Sequence, residues 1–167
     1  PDLIRGVMTY WVEFFESFAK GEAPDVVFVP IGQGSGFCAA AAARAHTGAR
    51  SKLVGVVSAH APAYLDSLKT GELAEAAVTT VLADGMACRV PDAESLEVVL
   101  READDVVAVT DAEVAQAMRV LFADTHNVAE GAGAAALAAA MQQRDALQGK
   151  VVGVTLCGGN VDSEVFA

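Results

Sequence analysis

Residues 29–37 read VPIGQGSGF, an apolar run followed by glycines at alternate positions, Gly32, Gly34 and Gly36, and then by a small-residue helical pattern. Such a segment can hold an anion. The first backbone N–H groups of a helix have no partner within the helix, and the helix dipole favours negative charge there. Glycine lets the backbone approach a ligand closely, and Ser35 adds a hydroxyl donor. The same residues also suit a bare strand-to-helix turn, and the loop alone does not separate the two. It does exclude a P-loop, because no lysine follows the last glycine. The stretch from Gly34 to Ala39 fits the dinucleotide pattern G-x-G-x-x-A, which needs an acidic residue about 20 positions on for the ribose. No Asp or Glu lies between Val26 and Leu65, so that reading loses its second requirement.

Other residues could do chemistry. Glu130 stands in VAEGAGAAALAA, where a carboxylate needs either a partner or the exposed first turn of a helix. Cys157 stands in VTLCGGNVD, before Gly158, Gly159 and Asn160. A free cysteine is ordinarily a small buried hydrophobe. Gly85 lies in VLADGMACRV and reads as a turn glycine. His60 and His126 are isolated, and each reads as a loop or helix-end residue.

The elements that must position these residues alternate. Apolar spacing at Ile4, Val7, Met8, Trp11, Phe14, Phe15 and Phe18 predicts a helix over 3–20, stopped by Gly21. Buried strands are predicted at 26–29 and 52–57, and further strands at 105–109 and 150–156. Helices are predicted at 37–46, 64–69, 72–81, 91–103, from a Thr110/Glu113 capping box to about 124, and over 129–144. Strands separated by helical segments specify βαβ units. The expectation is one domain: a three-layer α/β/α fold with an open, mostly parallel sheet.

The chain has 167 residues, enough for a substantial core. Much of its 53% hydrophobic content is alanine, and no run has the length of a membrane span. A formal charge of −11 argues against a nucleic-acid surface. Three cysteines without paired spacing, and no visible signal peptide, fit a reducing, cytoplasmic compartment. The chain begins with Pro1 rather than Met, which fits a piece of a longer protein.

The four segments IGQGSGF, VLADGMACRV, VAEGAGAAALAA and VTLCGGNVD, in this order, resemble those of the pyridoxal-phosphate-dependent threonine/serine dehydratases of fold type II. The resemblance runs from RGVMTYWVEFF to GGNVD. It implies that Gly32, Gln33, Gly34, Ser35 and Gly36 bind the phosphate of pyridoxal 5'-phosphate, with Gln33 and Ser35 departing from a more glycine-rich loop. It implies that Gly85 lies near the cofactor ring and that Glu130 is an active-site residue beside it. Cys157 takes the place of a hydroxyl residue at the pyridine nitrogen, where a thiol is a weaker donor. A neutral partner tunes how strongly the ring withdraws electrons. Some members bind a cation through carboxylates after the second strand. Residues 55–64 carry none, so no such metal is expected.

The family's Schiff-base lysine lies in a Ser-Phe-Lys type motif, and none of Lys20, Lys52, Lys69 and Lys150 stands in one. The expectation is therefore the C-terminal, larger-domain portion of the enzyme, without its small domain and inactive alone. The parent protein would convert a 3-hydroxy amino acid to a 2-keto acid and ammonia. A related racemase or hydroxyaspartate lyase, and a non-catalytic phosphate-binding or regulatory domain, are the alternatives. An amino-acid substrate and a possible homo-oligomer complete the expectations, with neither nucleic acid nor membrane as partner.

Overall fold

A computed structural model describes residues 2–19 and 22–166. Four strands, β1 (Val26–Pro30), β2 (Lys52–Ser58), β3 (Asp105–Val109) and β4 (Val152–Val154), form one sheet in the order β3-β2-β1-β4, with every pairing parallel. Parallel strands are covered on both faces, so they carry continuous apolar runs. VVFV in β1 is buried throughout. Its alternate side chains serve two cores. Val27 and Val29 join Trp11, Phe37 and Tyr64 on one face, while Val26 and Phe28 join Val114, Met118 and Ala135 on the other.

Helices α1 (Asp2–Glu16), α2 (Ser35–Thr47), α3 (Ala63–Thr70) and α4 (Ala93–Glu102) supply the first face. Helices α5 (Asp111–Thr125) and α6 (Gly131–Gln142) supply the second. A short α7 (Ser163–Phe166), absent from the sequence expectations, closes the described chain. The three-layer expectation is met. Alanine lets α6 lie close to the sheet: Ala134, Ala135, Ala136 and Ala139 are fully buried. The strand order also creates a crevice. From β1 the chain crosses through α2 to β2 on one side, and the later chain returns through α5 and α6 to β4 on the other. The carboxyl ends of β1 and β4 therefore border a topological switch point, where open α/β sheets bind ligands.

Local signals account for most element ends. Glu113 N–H donates to Thr110 Oγ1 at 3.3 Å and Thr110 N–H to Glu113 Oε2 at 2.7 Å, the reciprocal capping box. Asp92 caps α4 by accepting from Ser95 N–H at 2.9 Å.

Three expectations need correction. The helix expected over 72–81 is absent, and the segment runs as an irregular strap. Its backbone bonds go elsewhere: Ala74 N–H to Ser67 Oγ, Ala76 N–H to Arg89 O, Thr79 N–H to His60 O, and Val81 N–H to Asp111 Oδ2. Tertiary partners satisfy those groups, so helical propensity does not decide. The first helix ends at Glu16 rather than 20, where the Ser17 hydroxyl donates back to Phe14 O at 2.7 Å. Lys20 and Gly21, the expected stop, lie outside the described residues. The last strand covers only Val152–Val154 of the expected 150–156. The Asp25 carboxylate takes the Val151 N–H at 2.7 Å at one end, and the chain turns toward α6 at the other.

Candidate active site

The glycine loop leaves β1 at the crevice, anchored by Ile31 N–H to Val56 O at 2.8 Å. Gly34 caps α2 with φ +102°, a left-handed conformation that favours glycine. The first intrahelical bond runs from Cys38 N–H to Gly34 O at 2.9 Å. The amides of Ser35, Gly36 and Phe37 are therefore the helix's free first-turn donors. No acidic residue stands in that turn to compete for them.

The other candidates lie one contact apart. A methyl group on Gly32 would overlap the Gly85 carbonyl oxygen, so the loop and the ADG segment touch through backbone. A methyl group on Gly85 would come 2.9 Å from Ala132 Cβ and 3.7 Å from Glu130 Oε1. Gly133 lies so close to Gly158 O that any side chain there would strike it, and a side chain on Gly158 would strike the Glu130 carboxylate. Segments distant in sequence thus meet at glycine positions around Glu130.

Glu130 occupies the N-cap of α6, but its carboxylate makes no cap bond. It accepts from Asn160 N–H at 3.2 Å, while its own N–H donates to Gly158 O at 3.0 Å. The half-buried acid thus clasps the GGN turn instead of capping its own helix. Cys157 is exposed as a residue, yet its Sγ lies 3.8 Å from Ala132 O. Burial of the sulfur raises the thiol pKa, and the negative charge of Glu130 raises it further. The thiol is therefore neutral near pH 7.

One expected result follows. Glu130→Gln should speed alkylation of Cys157 by iodoacetamide about threefold at fixed pH, since removing the charge raises the thiolate fraction. Peptide-resolved mass spectrometry reads this rate, and an unchanged rate would disprove the electrostatic link.

The three described lysines stand apart. Lys52 opens β2 and Lys150 precedes β4, both at the amino end of the sheet and both exposed. Lys69 pairs with Asp66 at 3.2 Å on α3 and borders Asp105, which opens β3. His126 is the left-handed C-cap of α5 with φ 58°, and the His60 carbonyl ties down the strap. A groove of about 830 Å³ between α1, α2 and α4 reaches Gln33 and Ser35, but not Gly85, Glu130 or Cys157.

Sequence reasoning missed Tyr64 and Ser95, which buttress the loop from beneath. The Tyr64 hydroxyl donates to Gln33 O at 2.8 Å. Tyr64 is one of two tyrosines, but nothing in the local pattern indicates where its ring points. It also missed Gly133, whose role appears only once α6 is seen against Gly158.

The pyridoxal-phosphate dependent enzyme family matches residues 1–158. The chain belongs to that family. An L-threonine ammonia-lyase of Thermotoga maritima is 33% identical over 162 residues, covering 97% of this chain and 39% of the relative. An L-threonine ammonia-lyase of Geobacter sulfurreducens is 39% identical over 149 residues, covering 87% and 37%. A solved threonine deaminase from T.th. superposes with a TM-score of 0.87 at 26% identity, covering 95% of this chain and 54% of that one. Maize serine racemase gives 0.85 at 26%, covering 96% and 51%. The chain spans about two-fifths of the curated relatives' length and about half that of the solved neighbours.

The family's cofactor is pyridoxal phosphate, and the residues present fit it. An anionic tail suits free amides at a helix start lined by glycines that a Cβ would fill. A ring nitrogen suits a neutral thiol beyond β4.

Proposed function

We propose that this chain is the larger-domain portion of a pyridoxal-phosphate-dependent ammonia-lyase that converts a 3-hydroxy amino acid, threonine or serine, to a 2-keto acid and ammonia. One observation carries the reading: the glycine loop, Gly85, Glu130 and Cys157 meet at the switch point between β1 and β4. The amides of Ser35, Gly36 and Phe37, with the Ser35 hydroxyl and Gly32, would hold the phosphate. Gly85 would leave room for the ring, because a side chain there meets Ala132 and Glu130. Cys157 would face the ring nitrogen as a neutral group.

Bound pyridoxal phosphate supplies an electron sink for charge at the substrate Cα. The chain's own residues do the rest of this half of the work. The amides at the start of α2 would hold the phosphate and so restrict how the ring can lie. Glu130 holds Asn160 N–H, and through it the turn that carries Cys157. Cys157 stays protonated, so it would offer the ring nitrogen a neutral thiol rather than a fixed negative charge. The base that moves the Cα proton would come from a segment outside these 167 residues. Serine racemisation and hydroxyaspartate elimination draw on the same chemistry; the L-threo-3-hydroxyaspartate ammonia-lyase of Saccharomyces cerevisiae is 28% identical over 167 residues.

The test is an assay of the full encoded polypeptide with pyridoxal phosphate, offering L-threonine, L-serine and 3-hydroxyaspartate. The expected result is a 2-keto acid and ammonia in equal amounts from threonine or serine, and none from the 167-residue chain alone. A full polypeptide that turns over no hydroxy amino acid would reject the reading.

A further inference from the structure

The glycine loop is held from beneath by a group that lies outside the four segments carrying the family resemblance. Tyr64, on α3, is 1% exposed and its hydroxyl donates to Gln33 O at 2.8 Å. A peptide group is planar and trans, so its C=O and the following N–H point in opposite directions. Drawing the Gln33 carbonyl down toward Tyr64 turns the Gly34 N–H to the opposite side, away from the core beneath the loop. Were this peptide to flip, a carbonyl oxygen would take the place of that N–H and repel an anion. Gly34 has no Cβ to resist such a flip. The floor under it is closed instead: a methyl group on Gly34 would lie 2.7 Å from the Tyr64 hydroxyl and 2.5 Å from Ser95 Cβ.

We infer that Tyr64 is a positioning residue: its hydroxyl locks the Gln33–Gly34 peptide so that the Gly34 amide joins the first-turn amides of α2 as an anion donor. The inference rests on the reading of the loop as a phosphate cradle and adds a fourth amide and its support. Burial raises the phenol pKa, so the hydroxyl remains a donor across the ordinary pH range. Ser95, placed by the Asp92 cap at the start of α4, packs against the same point and keeps the loop from sinking when the hydroxyl is removed.

Tyr64→Phe keeps the ring and removes only the donor. The probe is inorganic phosphate, titrated into the 167-residue chain while the backbone amides are followed by NMR. In the wild type, the amides of Gly34, Ser35 and Gly36 should shift together. In Tyr64→Phe the Gly34 response should vanish and affinity should fall about tenfold, with the unfolding midpoint nearly unchanged. A wild-type loop that ignores phosphate would overturn the cradle and this inference with it. A loop that responds identically in both proteins would overturn the inference alone. If Tyr64→Phe fails to fold, 3,5-difluorotyrosine in a Tyr10→Phe background gives the same comparison. Raising the pH through the phenol's ionisation should then remove the Gly34 response, and persistence of that response would overturn the proposal.

Discussion

Gly32→Ala should destabilise the chain by about 2–3 kcal/mol and abolish its association with pyridoxal phosphate. The added methyl group would overlap the Gly85 carbonyl oxygen, with Gly85 C 3.5 Å and Met86 Cα 3.8 Å away. These are backbone atoms, and neither side can yield cheaply. The loop is tied to β2 through Ile31 N–H and Val56 O. The ADG segment is tied by Met86 N–H to Ala83 O at 2.9 Å and by the buried Met86 side chain. Relief would have to separate the two segments proposed to hold the phosphate and ring ends of the cofactor. Gly6→Ala is the control, because a methyl group there meets nothing within 4 Å and the residue lies inside α1. That change should stabilise by up to about 1 kcal/mol through helix propensity. Denaturant unfolding and cofactor titration read both. Equal stability and binding in Gly32→Ala would mean that the two segments do not touch.

Trp11→Ala should have the larger effect on stability, about 3–5 kcal/mol. Trp11 is fully buried and the largest side chain of the core beneath α1. It meets Phe14 edge-on at 5.7 Å and stacks with Phe15 at 6.1 Å, while α1 itself packs along α2. A domain is stable by about 5–15 kcal/mol, so this loss approaches unfolding. Because α2 starts at the glycine loop, a loosened α1 should also weaken phosphate binding. Trp11→Phe should cost much less. The indole Nε1 is buried with no hydrogen-bond partner within standard distance among the described residues, so replacing it breaks no bond there. Circular dichroism with urea unfolding checks the pair. A cost below about 1 kcal/mol for Trp11→Ala would show that α1 is not part of the core.

The sheet was legible because its strands are short apolar runs between turn signals and alternate with helical segments, the pattern of a parallel sheet; the central β1 and β2 are the buried ones. The expected bounds of β3 coincide with the observed Asp105–Val109. The Thr110 and Glu113 box was legible for the same reason: its partners lie three residues apart, within reach of local reasoning. The strap over 72–81 was not. ELAEAAVTTV has ordinary helix formers, but the amides of Ala76, Thr79 and Val81 bond to Arg89, His60 and Asp111, distant in sequence. In the candidate site, Gly32, Gly85, Glu130 and Cys157 were singled out through the family resemblance of their segments. Their mutual arrangement could not be read there, because it depends on the order β3-β2-β1-β4, which places the ends of β1 and β4 side by side. Tyr64 was illegible for a related reason: it acts through a backbone carbonyl 31 residues away, and a carbonyl carries no residue-type signature.

The central claim is that the glycine loop, Gly85, Glu130 and Cys157 form one surface for pyridoxal phosphate. The direct measurement is a titration of the 167-residue chain with pyridoxal phosphate, monitored at every backbone amide by NMR. The account predicts concerted shifts at residues 34–37, at Gly85 and at residues 157–160, saturating with a single affinity. Shifts confined to exposed lysines, with those three segments unmoved, would contradict it.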